Sequence, residues 1–136
     1  MLFRSKHTET FKYLNVVLDD TLSFNDHVDY VRMTVCKILG MFSRIRPSLT
    51  LEAENRFYKA IVLPVLDYCD AVWNECGLEN SEKMQQLQRR GARIVFFKAS
   101  SNLSTDQIMT KLGWEPLYYR RRTHILRLVV KFINNS

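Results

Sequence analysis

The 136-residue sequence predicts a mainly α fold: a short N-terminal β element followed by about five helices packed as a bundle. Three observations lead there. One run only, Phe11 to Leu18, combines aromatic and β-branched residues at strand length. Beyond it, apolar residues recur at alternating spacings of three and four, the period of an amphipathic helix. The chain holds only four glycines and no internal repeat, which argues against a many-stranded architecture.

The elements follow in order. Phe11–Leu18 is predicted as one strand, with residues 1–8 as its candidate hairpin partner and Asp19-Asp20 as its end. Phe24, Val28, Val31, Val35, Ile38, Phe42 and Ile45 mark the first helix, with Ser23 as N-cap, Asp26 in the first turn and Pro47 as terminator. Thr50 caps a second helix, and Glu52 and Glu54 complement its dipole. Its stripe runs through Tyr58, Ile61, Val62, Val65, Leu66 and Cys69, and Pro64 forces a kink or restart because it lacks an N–H. Asn80 or Ser81 opens a third helix through Met84, Leu87, Ile94 and Val95. Ser104 with Gln107 fits a capping box for a short fourth, ended by Gly113. Pro116 starts the last, which runs to about Ile133.

Bulk properties narrow the function. A chain that is 46% hydrophobic and 25% charged reads as globular. It has no run of eighteen apolar residues and no signal-peptide core at "MLFRSKHTET", so it is expected to be intracellular, in nucleus or cytoplasm, with no membrane partner. Cys36, Cys69 and Cys76 lack zinc-ligand spacing and are expected to be small buried hydrophobes. Charge is unevenly placed. Residues 1–82 carry 9 Lys/Arg against 12 Asp/Glu, whereas residues 83–136 carry 11 against 2. A basic half of this kind suits an anionic partner, nucleic acid first.

Two carboxylate pairs could suggest metal-ion chemistry, Asp19 with Asp20 and Asp67 with Asp70. Two-metal phosphoryl transfer needs carboxylates converging from separate elements. Neither pair is accompanied by a third acid or a glycine-rich phosphate loop, and strand-end aspartates are ordinary turn chemistry. His7, His27 and His124 have no histidine partner at i+4. No catalytic residue and no metal ligand is predicted.

The basic residues carry more. Arg120, His124, Arg127 and Lys131 fall on one narrow stripe of the last helix at about 100° per residue. Leu117, Arg121, Ile125, Leu128, Val129 and Phe132 lie on a neighbouring arc expected to face the core, so Arg121 must pair, snorkel or reach a ligand. Arg89, Arg90 and Arg93 cluster on the third helix. Arginine suits two-point phosphate contacts, and no acid lies between Glu82 and Asp106 or after Glu115. Trp114, Tyr118 and Tyr119 add aromatic surface beside these charges, with Trp114 read as core.

"FKYLNVVLDDTLSFNDHV", "RPSLTLEAENRFYKAIVLPVLDYCDAVW", "LQRRGARIVFFKAS" and "LGWEPLYYRRR" resemble successive segments downstream of the reverse transcriptase core of non-LTR (LINE-type, jockey-like) retrotransposons. The resemblance covers Phe11 to about Phe132. It implies that residues 1–20 are the end of a polymerase palm, with a primer-grip strand carrying Lys12, Tyr13 and Leu14. Residues 21–136 would then be a thumb-like helical region that holds an RNA–DNA template–primer. The implied nucleic-acid contacts are those three residues with Arg89, Arg90, Arg93, Arg120, Arg121, Arg127 and Lys131. The family usually has glycine where this chain has Asn15, and alanine where it has Gly91. Its catalytic aspartates lie upstream, in part in a Y-x-D-D hairpin that this sequence does not contain. The chain is thus expected to be an inactive fragment of an RNA-directed DNA polymerase, with no cofactor of its own. The parent's Mg²⁺ and the rest of the polyprotein would lie elsewhere. The other readings are a non-enzymatic helical module that binds an acidic partner, and a functionless product of a truncated element.

Overall fold

The computed structural model describes residues 9–97 and 102–136. The suggested pairing of the strand with residues 1–8 lies outside them, as does His7. The fold is mainly helical with a two-stranded antiparallel sheet at its head.

The expected single strand is a complete hairpin. β1 (Thr10–Tyr13) pairs with β2 (Val16–Asp19) in a register that sets Tyr13 opposite Val16 and Thr10 opposite Asp19. Leu14 and Asn15 form the two-residue turn, both with positive φ (46° and 64°). That is the pattern of a type I′ turn, whose twist matches the strands and which Asn tolerates. Asn15 thus takes a left-handed backbone that glycine would favour and that Asn tolerates. The continuous apolar run hid the turn, because Leu14 is a poor turn residue.

Asp19 organises the next loop. Its carboxylate accepts hydrogen bonds from Ser23 N (2.8 Å), Thr21 N (3.0 Å), Phe24 N (2.9 Å) and both side-chain hydroxyls. These bonds, the Ser23 N–H foremost, hold its pKa far below the usual carboxylate range. They also offset a backbone with positive φ at Leu22 and Phe24. Phe24, not Ser23, is the N-cap of α1 (Asn25–Ile45), and the capping work falls to Asp19.

α1 buries His27, Val28, Val31, Val35, Leu39 and Phe42; Ile38 packs half-buried against the core beside the fully buried Leu39, and Ile45 is exposed. After a 3₁₀ turn through Pro47, Thr50 caps α2 (Leu51–Phe57) as expected, accepting from Ala53 N. The helix does not restart at Pro64. A π-turn over Tyr58–Val62 leads directly into α3 (Leu63–Asp67). A widened turn immediately before proline accommodates its ring and missing donor. The break comes later, where Cys69 adopts φ 51°, and α4 (Asp70–Trp73) follows.

α5 (Leu78–Val95) opens at Gly77, φ 87°, rather than at Asn80 or Ser81. Asn80 is instead buried, donating to Asn25 Oδ1 and Cys76 O. α6 (Thr105–Leu112) shows the expected capping box on Ser104 and ends at Gly113, φ 69°. α7 (Leu117–Asn134) follows Pro116.

The core gathers Val28, Val35 and Phe42 of α1, Tyr58, Leu66, Trp73, Met84 of α5, and Ile108 of α6. Tyr58 stacks on Trp114 at 3.8 Å between ring centroids, and Trp114 Nε1 donates to Asn55 Oδ1. Gly91 of α5 lies against this pair: a Cβ there would sit 2.6 Å from Tyr58 Cε2. The glycine that weakens α5 locally is therefore the one that lets an aromatic ring touch its backbone. Of the cysteines only Cys76 is buried; Cys36 and Cys69 are half-buried. Among the described residues no helix is long and apolar enough to cross a membrane.

Candidate nucleic-acid interface

The basic stripe of α7 splits into two unlike parts. Arg120 donates through Nε (3.3 Å) and Nη2 (2.5 Å) to the two oxygens of Asp67, and the pair is mostly shielded from solvent. His124 Nδ1 lies 2.5 Å from Asp70 Oδ2. The break at Cys69 is what makes this possible: it turns the chain so that Asp67 at the end of α3 and Asp70 at the start of α4 both face α7. The asparto-histidine convergence was invisible in sequence, since His124 is more than fifty residues from either acid. Ligand atoms of Asp67, Asp70 and His124 lie within 4.8 Å of one another. Asp67 is already engaged at two points by a guanidinium, so the arrangement serves as an ionic clamp between α7 and the α3–α4 corner.

Arg121 is inside the molecule, 2% exposed. Its guanidinium carbon sits 4.2 Å from the centroid of the Trp73 ring, a cation–π contact. Burial lowers its pKa, partly countered by Cys76 and Asp70. Arg121, one of the candidate contacts, is thus enclosed beside Trp73 rather than presented at the surface. Arg120 is likewise diverted: its two-point geometry is spent on Asp67.

The α5 cluster also divides. Arg89 bonds Glu82 Oε1 at 3.0 Å and lies 4.0 Å from Asp106 of α6, so the two acids bounding the acid-free interval both reach it. Arg90 leans across to α1, with Nη1 3.5 Å from Cys36 Sγ. Arg93 is exposed. On α7, Arg127 and Lys131 are exposed, and so is Arg122, which the stripe analysis passed over although it ends the Arg-Arg-Arg run. Among the described residues, Arg93, Arg122, Arg127 and Lys131 have no carboxylate within ion-pair distance.

At the hairpin, Tyr13 (59%) and Leu14 (69%) are exposed, and Lys12 Nζ lies 4.5 Å above the Tyr30 ring. Tyr118 and Tyr119 are both exposed and meet edge to face at 5.5 Å, whereas Trp114 is core, as its place beside a proline-initiated helix suggested.

The chain is similar to retrotransposon RNA-directed DNA polymerases. It is 27% identical over 115 residues to the RNA-directed DNA polymerase from mobile element jockey of Drosophila funebris, covering 79% of this chain and 12% of that protein. Over 117 residues it is 23% identical to the retrovirus-related Pol polyprotein from type-1 retrotransposable element R1 2 of Nasonia vitripennis, 83% of this chain and 28% of the relative. The probable RNA-directed DNA polymerase from transposon X-element of Drosophila melanogaster is 31% identical over 88 residues, 62% of this chain and 10% of its own length. The chain thus spans a small part of these relatives. No protein-family profile and no solved structure matches it.

Proposed function

We propose that this chain is the nucleic-acid-holding segment of a non-LTR reverse transcriptase, lying after the catalytic palm. Residues 1–20 close the palm through a primer-grip hairpin, and residues 21–136 form a thumb-like bundle that grips an RNA–DNA template–primer. The reading carries no catalytic aspartate in this chain and places polymerisation, with its Mg²⁺, in the rest of the polyprotein, inside the cell. The observation that supports it most is the free cationic set Arg93, Arg122, Arg127 and Lys131, which no carboxylate among the described residues neutralises. Unpaired exposed cations on a rigid helix suit the phosphate contacts that position a duplex.

Fluorescence anisotropy of the purified chain with an RNA–DNA hybrid and with double-stranded DNA tests it. Six or more engaged phosphates predict an affinity drop on the order of a thousandfold between about 50 and 200 mM salt. Arg127→Gln with Lys131→Gln is expected to lower the salt slope by about two. Salt-independent, weak binding to both duplexes overturns the reading.

One observation favours a second reading, a helical module for an acidic protein partner. Leu126, Val130, Phe132 and Ile133 of α7 are exposed beside Arg127 and Lys131, a pairing of apolar and basic surface that fits an acidic amphipathic helix. Loss of salt dependence on duplexes, with tight binding to such a helix, would favour it.

A further inference from the structure

The solvent side of α7 repeats a pattern that no other described element covers. Tyr119, Arg122, Leu126, Val129 and Ile133 follow one another at spacings of three, four, three and four, the a and d positions of a heptad repeat. All five are exposed, and the four uncharged ones keep between 47% and 68% of their surface in contact with solvent. At about 100° per residue this seam lies roughly opposite Leu117 and Arg121, the buried residues of α7. α4 and α5 pack against the helix on that other side, so a further helix can approach the seam without displacing them.

Charge decides which kind of helix fits. The positions beside the seam hold Tyr118, Thr123, Ile125, Val130 and Phe132, none of them charged at neutral pH. Arg127 and Lys131 fall at the b and f positions, which point away from a helix docked on the seam. An acidic helix would find one cation in the seam, Arg122, and none flanking it. A second copy of α7 matches better, in one orientation. Parallel pairing would set Arg122 against Arg122 of the second copy and align the two helix dipoles. Antiparallel pairing layers Leu126 with Val129 of the second copy. It sets Arg122 beside Ile133 of the second copy, in the last turn of that helix, where the dipole favours a cation.

We propose that α7 pairs antiparallel with α7 of a second copy of this chain through that seam. The contact is two-fold symmetric, so each seam residue contributes twice and the assembly closes as a dimer. With the flanking Val130 and Phe132, the exposed surface of the uncharged seam residues is roughly 700 Å² per chain, close to the about 800 Å² that each partner of a stable interface buries. The pairing does not rest on the nucleic-acid reading and is compatible with it. Arg127 and Lys131 stay outward in both copies, so the dimer presents two sets of cations.

Sedimentation equilibrium of the full chain across a wide concentration range tests it. The expected result is a monomer–dimer equilibrium that holds or tightens at high salt, because apolar burial drives it and repulsion between cations is screened. Leu126→Lys, at an exposed position, is expected to weaken the dimer at least about tenfold and to leave the urea midpoint of the monomer unchanged. An equimolar mixture of Leu126→Cys and Val129→Cys chains, mildly oxidised, should link position 126 to position 129, as read by peptide mass mapping. Parallel pairing would instead link position 126 to itself. A chain that stays monomeric overturns the proposal, whether or not it binds an acidic amphipathic peptide. So does an assembly that Leu126→Lys leaves intact or that salt dissolves, and so does a link between two positions 126. A drop in monomer stability in Leu126→Lys also overturns it, since the seam would then be packed within one chain.

Discussion

α7 is one continuous helix from Leu117 to Asn134, yet its two halves behave as different structures. In the first, Leu117 and Arg121 are buried, Arg120 is clamped by Asp67, and His124 meets Asp70. In the second, Leu126, Val129, Val130, Phe132 and Ile133 are all exposed, and Arg127 and Lys131 point free of any carboxylate among the described residues. The first half, 117–125, holds three arginines and a histidine, and the second, 126–134, holds six apolar residues with one arginine and one lysine, yet the more apolar half is the exposed one. What changes is the surface beneath it: the first half lies on Trp73, the α3–α4 corner and α5, and the second runs past them. Basic residues over acids become structural, and the same residue types beyond the edge stay available for a ligand. The lesson concerns reading charge stripes: periodicity says which residues share a face, and only the neighbour says what the face does.

That contrast can be broken most directly at its base. Trp73→Ala removes the ring between His27 and Arg121 and leaves the buried guanidinium against a cavity. A loss of about 3–5 kcal/mol is expected by urea denaturation. Gly91→Ala drives a methyl into Tyr58, which its stack on Trp114 holds in place. It is expected to cost about 1–3 kcal/mol despite the better helix propensity of alanine, and a stability gain would show that the platform yields. Asp67→Ala strands Arg120 in a half-buried place; about 2 kcal/mol, between the exposed and the buried ion-pair regimes, is expected from the same titration. The smallest effect belongs to the distal half. Val129→Ser with Phe132→Ser should change stability by no more than about 0.5 kcal/mol. It should also reduce any concentration-dependent association seen by analytical ultracentrifugation, and a large stability loss would mean this half is packed after all.

Much of the fold was legible in the residues. Thr50 and the Ser104–Gln107 box mark helix starts because a capping side chain bonds backbone within the same turn. Gly113 as terminator and Trp114 as core likewise follow from local chemistry. The hairpin was missed because its turn holds Leu14 and Asn15, with no glycine to announce a positive φ. The α7 arc was drawn too long for another reason: Leu128, Val129 and Phe132 continue the periodicity of Leu117, Arg121 and Ile125, and periodicity does not reveal where a neighbour ends. Of the candidate contacts, Lys12, Arg93, Arg127 and Lys131 are available at the surface, whereas Arg120 and Arg121 are engaged.

The sequence by itself determined the long helices, the caps at Thr50, Ser104 and Gly113, the basic second half and the likeness to retrotransposon polymerases, because each is written in short-range spacing or in residue order. Tertiary structure alone decided which arginines remain free. Asp67 and Arg120 are 53 residues apart, and the cysteine break that aims Asp67 and Asp70 at α7 is a matter of backbone geometry. Ion pairing and burial fall off within a few ångströms of space, so neighbours in three dimensions, not in the chain, determine what a charged side chain can still do.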